Sequence, residues 1–255
     1  MNSITLKRPV WRRALAVAGL AVWATSAAAT TYRAKVLINF APDGTVLAAI
    51  QSPVSLSQAG HVLGRFKVYD PADGSIADIA TLADGTRMTT AYAVNSAGQV
   101  TGASRGIVVR NKDGSYINLG VLPGDVGTIG AFAINDAGQV AGVSSDIAGS
   151  WCGHRAVLGH VSGTPPLQPL GRLVDRTGAW SVPNAISPGG RVAGWAYVVG
   201  ATCGAYPNYH AFISSPTGLV DLHTSFNLPT AVMNLSNARG INDQGIVVGR
   251  YATGG

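Results

Sequence analysis

One short pattern of apolar and polar positions recurs five times along the chain. An apolar residue is followed by Asn or Ser, two variable residues, Gly, a spacer, a branched or apolar pair beginning with Val, and a second Gly. The copies occupy residues 56–64, 94–102, 134–142, 186–194 and 241–249. Their first glycines stand at 60, 98, 138, 190 and 245, giving steps of 38, 40, 52 and 55 residues. A type I turn favours Asn, Asp or Ser at its first position, tolerates Pro at the second and favours Gly at the fourth. Each copy fits, and Pro188 fills the second position in the fourth copy. A side-chain bond from Asn95, Asn135 or Asn242 to nearby backbone is expected to fasten the turn. The flanks alternate, with Phe132 and Ile134 before the turn and Val140 and Gly142 after it. Period-two alternation around a tight turn predicts a β-hairpin at every copy. The second glycine of each copy is expected where neighbouring backbones approach closely.

Two weaker strand signals follow each of the first four hairpins. Third strands are expected at 65–69, 107–110, 155–158 and 211–214, and fourth strands at 76–82, 116–122, 167–173 and 219–222. Turn formers separate them: Asp73-Gly74, Asp113-Gly114, Gly163 with Pro165-Pro166, and Pro216 with Gly218. Four-stranded units of about forty residues in series predict an all-β, β-propeller-like ring of about five units. The last two steps carry insertions. The fifth hairpin has no third or fourth strand before Gly255, whereas 32–40 reads as a lone strand before the first hairpin. Either that strand completes the last unit and closes the ring, or the chain is a C-terminally truncated fragment.

The stretch Ala133-Ile134-Asn135-Asp136-Ala137-Gly138-Gln139-Val140-Ala141-Gly142, the later His210-Ala211-Phe212 and the Asn118-Leu119-Gly120 segment together resemble the HAF-repeat extracellular proteins. The resemblance spans residues 54–249; one unit keeps His-Ala-Phe intact, and the third has His154-Arg155-Ala156-Val157 instead. It implies export and a repeated β architecture, and it supplies no catalytic residues.

Composition agrees with strands and turns. There are 33 Gly, four Lys and no Glu, so the residues that normally cover exposed helix faces are scarce. The leader has its own character. Lys7, Arg8, Arg12 and Arg13 precede an apolar run at 14–22 and a small-residue stretch ending at Ala29. This order predicts a signal peptide at 1–29 and a mature single domain at 30–255, secreted or periplasmic. An uncleaved N-terminal anchor is the alternative, and Arg12-Arg13 is only a weak twin-arginine signal. Four of the 18 basic residues lie in the leader and no acid does, leaving 14 bases against 12 acids. The remaining bases are scattered singly, which argues against a nucleic-acid partner. No later stretch is long and apolar enough to span a membrane.

Candidate chemistry is sparse. Cys152 and Cys203 lie in the inserted segments of neighbouring units and are expected to form a disulfide in an oxidising compartment; two free buried thiols are the alternative. Trp151, His154, Trp195, Tyr206 and His210, with Tyr197 and Tyr209, are placed by the same insertions and form the candidate binding set for a glycan or protein ligand. Packing of the loops on one another is the competing reading. His154 and His210 are expected at related repeat positions. Asp70 and Asp73 read as turn formers rather than calcium ligands, and no metal or other cofactor is expected. No nucleophile elbow or phosphate loop appears. A non-enzymatic binding or structural module is therefore expected, with a propeller hydrolase or lyase acting on a glycan as the alternative.

Overall fold

The computed structural model describes residues 3–4, 34–35, 38–40, 46–49, 54–147, 153–174, 179–198, 208–228 and 234–253. The described chain is all-β. Short strands β1 (Ser3–Ile4) and β2 (Ala34–Lys35) pair with each other, as do β3 (Ile38–Phe40) and β4 (Val46–Ala49). The first repeat unit is a four-stranded antiparallel sheet of β5 (Ser55–Leu56), β6 (Val62–Leu63), β7 (Lys67–Tyr69) and β8 (Ile76–Asp78). The second contains β9 (Thr90–Val94), β10 (Val100–Ala103), β11 (Ile107–Arg110) and β12 (Tyr116–Gly120). The third contains β13 (Gly127–Ile134), β14 (Gln139–Ser145), β15 (His154–His160) and β16 (Gln168–Gly171). The fourth contains β17 (Ser181–Ile186), β18 (Val192–Tyr197), β19 (Tyr209–Ser215) and β20 (Gly218–Asp221), followed by one helical turn, α1 (Leu222–Ser225). The fifth is the hairpin β21 (Asn234–Ile241) and β22 (Val247–Thr253).

The repeated motif is the bend of a hairpin in all five units. In every copy the Gly N–H donates to the carbonyl three residues earlier, at 2.9–3.1 Å, and the first turn residue donates to the carbonyl of the fifth, at 2.8–3.1 Å. The glycine takes positive φ at each turn, +90, +74, +80, +87 and +77 in chain order, a conformation that an L side chain resists. The side-chain oxygen of the first residue locks the bend. Ser57, Asn95, Asn135, Ser187 and Asn242 each accept from the N–H four residues on, at 2.9–3.0 Å. The second glycine meets a different demand. A Cβ at Gly102, Gly194 or Gly249 would collide with the carbonyl oxygen of Thr90, Val182 or Asn237 on the paired strand.

Alternation along each strand gives every sheet two apolar faces, and consecutive units stack face to face. Leu63 and Ile79 of the first unit pack with Val94, Val100 and Val108 of the second. Ile107 and Val109 of the second meet Ala131, Val140 and Val157 of the third. Ala141 and Ala156 of the third meet Val192 and Phe212 of the fourth, and Ala193 and Ala211 of the fourth meet Ala238 and the partly buried Ile241 and Val247 of the fifth. A valine two residues past the first motif glycine thus faces the preceding unit, and the next residue faces the following one.

Polar bonds reinforce the stack at the turn end. The Ser96 N–H donates to Asp136 Oδ1 at 2.7 Å, and the Gly189 N–H to Asp243 Oδ1 at 2.9 Å. Ala59 N–H reaches Ser96 Oγ at 3.2 Å, and Asn135 Nδ2 reaches the Ser187 and Pro188 carbonyls at 3.0 and 3.1 Å. Ser96, Asp136 and Asp243, at the second turn position, thus cap exposed backbone N–H groups of the preceding unit, whereas Asn135, at the first, bonds the following unit where an unpaired buried group would be costly.

Two features differ from expectation. The early strand read at 32–40 pairs, through β3, with β4 rather than with β22. The fifth hairpin joins the fourth sheet by a single parallel pairing, Tyr209 with Leu235. Among the described residues no helix is long and apolar enough to cross a membrane.

Candidate functional site

Of the predicted binding set, Trp151 and Tyr206 lie outside the described residues, as do both cysteines of the expected disulfide, and the leader 1–29 does so almost entirely. The structure brings His154, Trp195, Tyr197 and Tyr209 together. It places them on strands β15, β18 and β19, not in the inserted loops, because these strands run on into the flanks of the insertions. They lie at the end of the strands opposite the turn motif.

The row is built by register. Tyr197 is paired across the sheet with Tyr209, and Trp195 with Ala211, so the three aromatic rings share one face. Trp180 extends β17 by one residue: its carbonyl accepts the Tyr197 N–H at 2.9 Å. Its ring then lies parallel to Tyr197, with centroids 5.3 Å apart and planes 16° apart. On its other neighbour the Trp180 ring stacks on the His154 imidazole at 4.9 Å and 6°. Trp195 closes the row with tilted contacts to Trp180, Tyr197 and Tyr209 at 5.9, 5.6 and 5.2 Å. These separations are those of favourable offset and tilted aromatic pairs. Trp180 was not singled out by the sequence, because it stands just before a strand whose start no turn signal marks.

Burial sets the electrostatics of the row. His154 is 3% exposed, and neither ring nitrogen has a hydrogen-bond partner among the described residues. Burial lowers its pKa from the usual 6.5, opposed by the Asp146 carboxylate. Burial likewise raises the Tyr197 phenol. Arg172 ties this rim together, donating to the Ala179 carbonyl at 2.9 Å and to Asp146 Oδ2 at 2.8 Å. Tyr209 forms the open end of the row and borders a cavity of about 160 Å³ lined also by Leu235, Ser236, Asn237, Arg250 and Ala252.

His210 belongs to a different cluster, one face away. Its Nδ1 lies 2.8 Å from Asp221 Oδ2, and its ring stacks on His223 at 4.1 Å and 10°. His223 Nδ1 meets Ser236 Oγ at 3.1 Å, and that oxygen accepts the Ala211 N–H at 2.9 Å. The register corrects the expected equivalence of His154 and His210. Gly142 pairs with Val157, and Gly194 with Phe212, so His210 corresponds to Arg155 and His154 to Tyr209. The one-residue offset turns the two histidines to opposite faces of their sheets. Burial alone raises Asp221, but hydrogen bonds from His210 and Thr224 outweigh it and hold the carboxylate below 3.8. His223 is pushed below 6.5, by burial first and then by His210.

A third polar group lies at the turn end. Ser57 Oγ is 3.2 Å from His61 Nδ1, and His61 Nε2 is 3.8 Å from Asp70 Oδ1, whose other oxygen is 2.5 Å from Lys112 Nζ. The order Ser–His–Asp suggests a nucleophile, yet the second unit has Asn95–Gln99–Asn111 in the same row, joined at 2.9 Å and 2.9 Å. Ser57 Oγ is also the acceptor for its own turn. The row is the fastening of the hairpin, with charged residues in the first unit. Asp70 and Asp73 accept from the Ala72 and Ser75 N–H groups at 2.8 Å each, as turn formers do. Among the described residues no group of three or more metal-binding side chains converges.

Comparison with models of protein families, with curated proteins and with solved structures finds no match.

Proposed function

We propose that the chain is an exported, non-enzymatic binding module made of propeller-type blades, about five in number. Its ligand is a glycan, held at the aromatic rim of the third and fourth units. The observation that carries this reading is where the repeat breaks. Trp195 stands where the second and third units have Ala103 and Val143, which are 7% and 0% exposed. Tyr197 stands where the third unit has Ser145, and Tyr209 where it has His154, whereas the second unit turns back at Arg105 before reaching either position. In the fourth unit three rings thus reach the rim where the third has Val143, Ser145 and His154. A sugar ring would gain an apolar face on Tyr209, in the cavity that Asn237 and Arg250 also line. Export rests on the leader at 1–29, and the resemblance to HAF-repeat extracellular proteins agrees with it.

The His210–Asp221 pair and His223 favour scaffold over the hydrolase or lyase alternative. Ser236 bridges Ala211 N–H to His223 as Ser181 bridges the Ala156 N–H, at 2.9 Å, to the Gly171 carbonyl, at 2.8 Å. An imidazole thus replaces a backbone acceptor at a junction between units. Affinity electrophoresis of the mature protein through gels containing soluble polysaccharides tests the proposal. Retardation by at least one polysaccharide is expected, with Tyr209→Ala weakening binding about tenfold, the equivalent of about 1.4 kcal/mol. Release of new sugar ends over time, or unhindered migration in every gel, would refute a non-enzymatic glycan module.

A further inference from the structure

At one repeat position a titratable ring takes the place of a backbone acceptor. Between the third and fourth units, Ser181 Oγ accepts the Ala156 N–H and donates to the Gly171 carbonyl. Between the fourth and fifth, Ser236 Oγ accepts the Ala211 N–H, and its second partner is His223 Nδ1. A carbonyl keeps one state across the working range of pH, whereas an imidazole changes charge at about pH 6.5. His223 lies in turn ring on ring against His210, at 4.1 Å and 10°. His210 follows Tyr209 on β19, and Ser236 follows Leu235 on β21. Among the described residues, Tyr209 with Leu235 is the single backbone pairing between those strands. Tyr209, Leu235 and Ser236 all line the cavity at the open end of the aromatic row.

The geometry suits two neutral rings and opposes two charged ones. His210 is 8% exposed and His223 2%. Each Nδ1 has a partner, Asp221 Oδ2 for His210 and Ser236 Oγ for His223, but neither Nε2 has one among the described residues. A neutral imidazole leaves one nitrogen unprotonated, so the bare position can be a lone pair. A charged imidazole carries N–H on both nitrogens, and here the second N–H would be buried without an acceptor. Among the described residues the charged group facing the pair is Asp221, from β20; β18 presents Ala196 opposite His210, and β21 presents Ser236. One carboxylate balances one imidazolium, and a second positive charge stacked on the first has nothing to offset it.

We propose that protonation of the His210–His223 pair loosens β21 from β19 and opens the cavity at Tyr209, so that ligand is held at neutral pH and released in acid. A charged His223 donates to Ser236 Oγ, which must then accept from two donors and has no acceptor for its own proton. Water relieves the charged rings once they are uncovered, and the strand that yields is the one held beside them by a single pairing. A ligand bound only by the closed form loses up to about tenfold in affinity for each pH unit below the pKa of the pair. The identity of the released molecule rests on the glycan reading; the opening rests on the histidine geometry and is measured without a ligand.

Hydrogen exchange of the mature chain, followed by NMR, reads the opening at the Ala211 amide. The Met88 amide serves as internal reference: it donates to the Ala80 carbonyl at 2.9 Å in the link between the first and second units, and global unfolding exposes both amides alike. Between about pH 7.5 and about pH 5.5, the protection factor of Ala211 should fall about tenfold relative to that of Met88. In His223→Gln, which keeps a polar partner for Ser236 but cannot be charged, the ratio should stay within about twofold. Affinity electrophoresis in a polysaccharide gel that retards the wild type should show binding about tenfold weaker at the lower pH, and a shallower dependence in His223→Gln. A constant ratio in the wild type, or an equal fall in the variant, overturns the switch. So does a falling ratio with glycan affinity unchanged, because the cavity is then not coupled to the junction. If no gel retards the wild type at either pH, the glycan reading fails and the amide ratio decides the switch.

Discussion

Asn135 shows how much one turn residue does in this protein. Its Oδ1 accepts the Gln139 N–H at 2.9 Å, while its Nδ2 reaches Gln139 Oε1 at 2.7 Å and two carbonyls of the fourth unit. Asn135→Ala leaves those partners buried and unpaired, a loss of about 1–3 kcal/mol. Asn242 is exposed and bonds the Ile246 N–H at 2.9 Å. Asn242→Ala should therefore cost less, about 0.5–1.5 kcal/mol. Urea denaturation of both variants checks the order, and equal losses would contradict the role of Asn135 between units. The motif letters alone do not separate these two asparagines. What separates them is that Asn135 is buried against the fourth unit and bonded to its carbonyls, which the fold decides.

The interface between the third and fourth sheets depends on complementary sizes. Phe212 is 0% exposed and packs against Ala133, Ala141 and Ala156, so large and small residues interlock. Phe212→Ala should cost about 3–5 kcal/mol, the range for emptying an aromatic site in a core. A thermal melt showing no change would mean that the two sheets do not pack as described. This junction, through His154, and the next, through His223, respond to pH. His154 and His223 both have folded pKa values below 6.5, so the unfolded chain binds more protons than the folded one around and below that pH. Stability is therefore full above about pH 6.5 and falls as the solution is acidified. Asp221, held below 3.8, adds a loss in the same direction at lower pH. Melting temperature should drop between about pH 7.5 and about pH 5.5, and His223→Gln should reduce the drop. An equal drop in that variant would place the sensitivity elsewhere.

At the scale of the whole molecule, the described stack has a rim of turns and, at the other end of the strands, a rim of aromatic rings. The turns are alike in every unit and serve the fold. The aromatic rim is confined to the third and fourth units and is where recognition of a ligand is expected.

The amino-acid sequence by itself determined the all-β class, the five hairpins and the boundaries of four-stranded units, because a turn with Asn or Ser first and Gly fourth is a local structure. Its bonds run between residues no more than four apart. It also placed Trp195, Tyr197 and Tyr209 as candidates, since large rings stand out against a vocabulary of Gly, Val and Thr. Tertiary structure decided the rest. That Trp180 joins the aromatic row follows from its bond to Tyr197, 17 positions away along the chain. That His154 and His210 face different neighbours follows from strand register, where one residue of offset reverses a side chain. How consecutive units pack is likewise decided between residues far apart in the chain, as where Phe212 meets Ala133, Ala141 and Ala156, and no local pattern encodes such a fit.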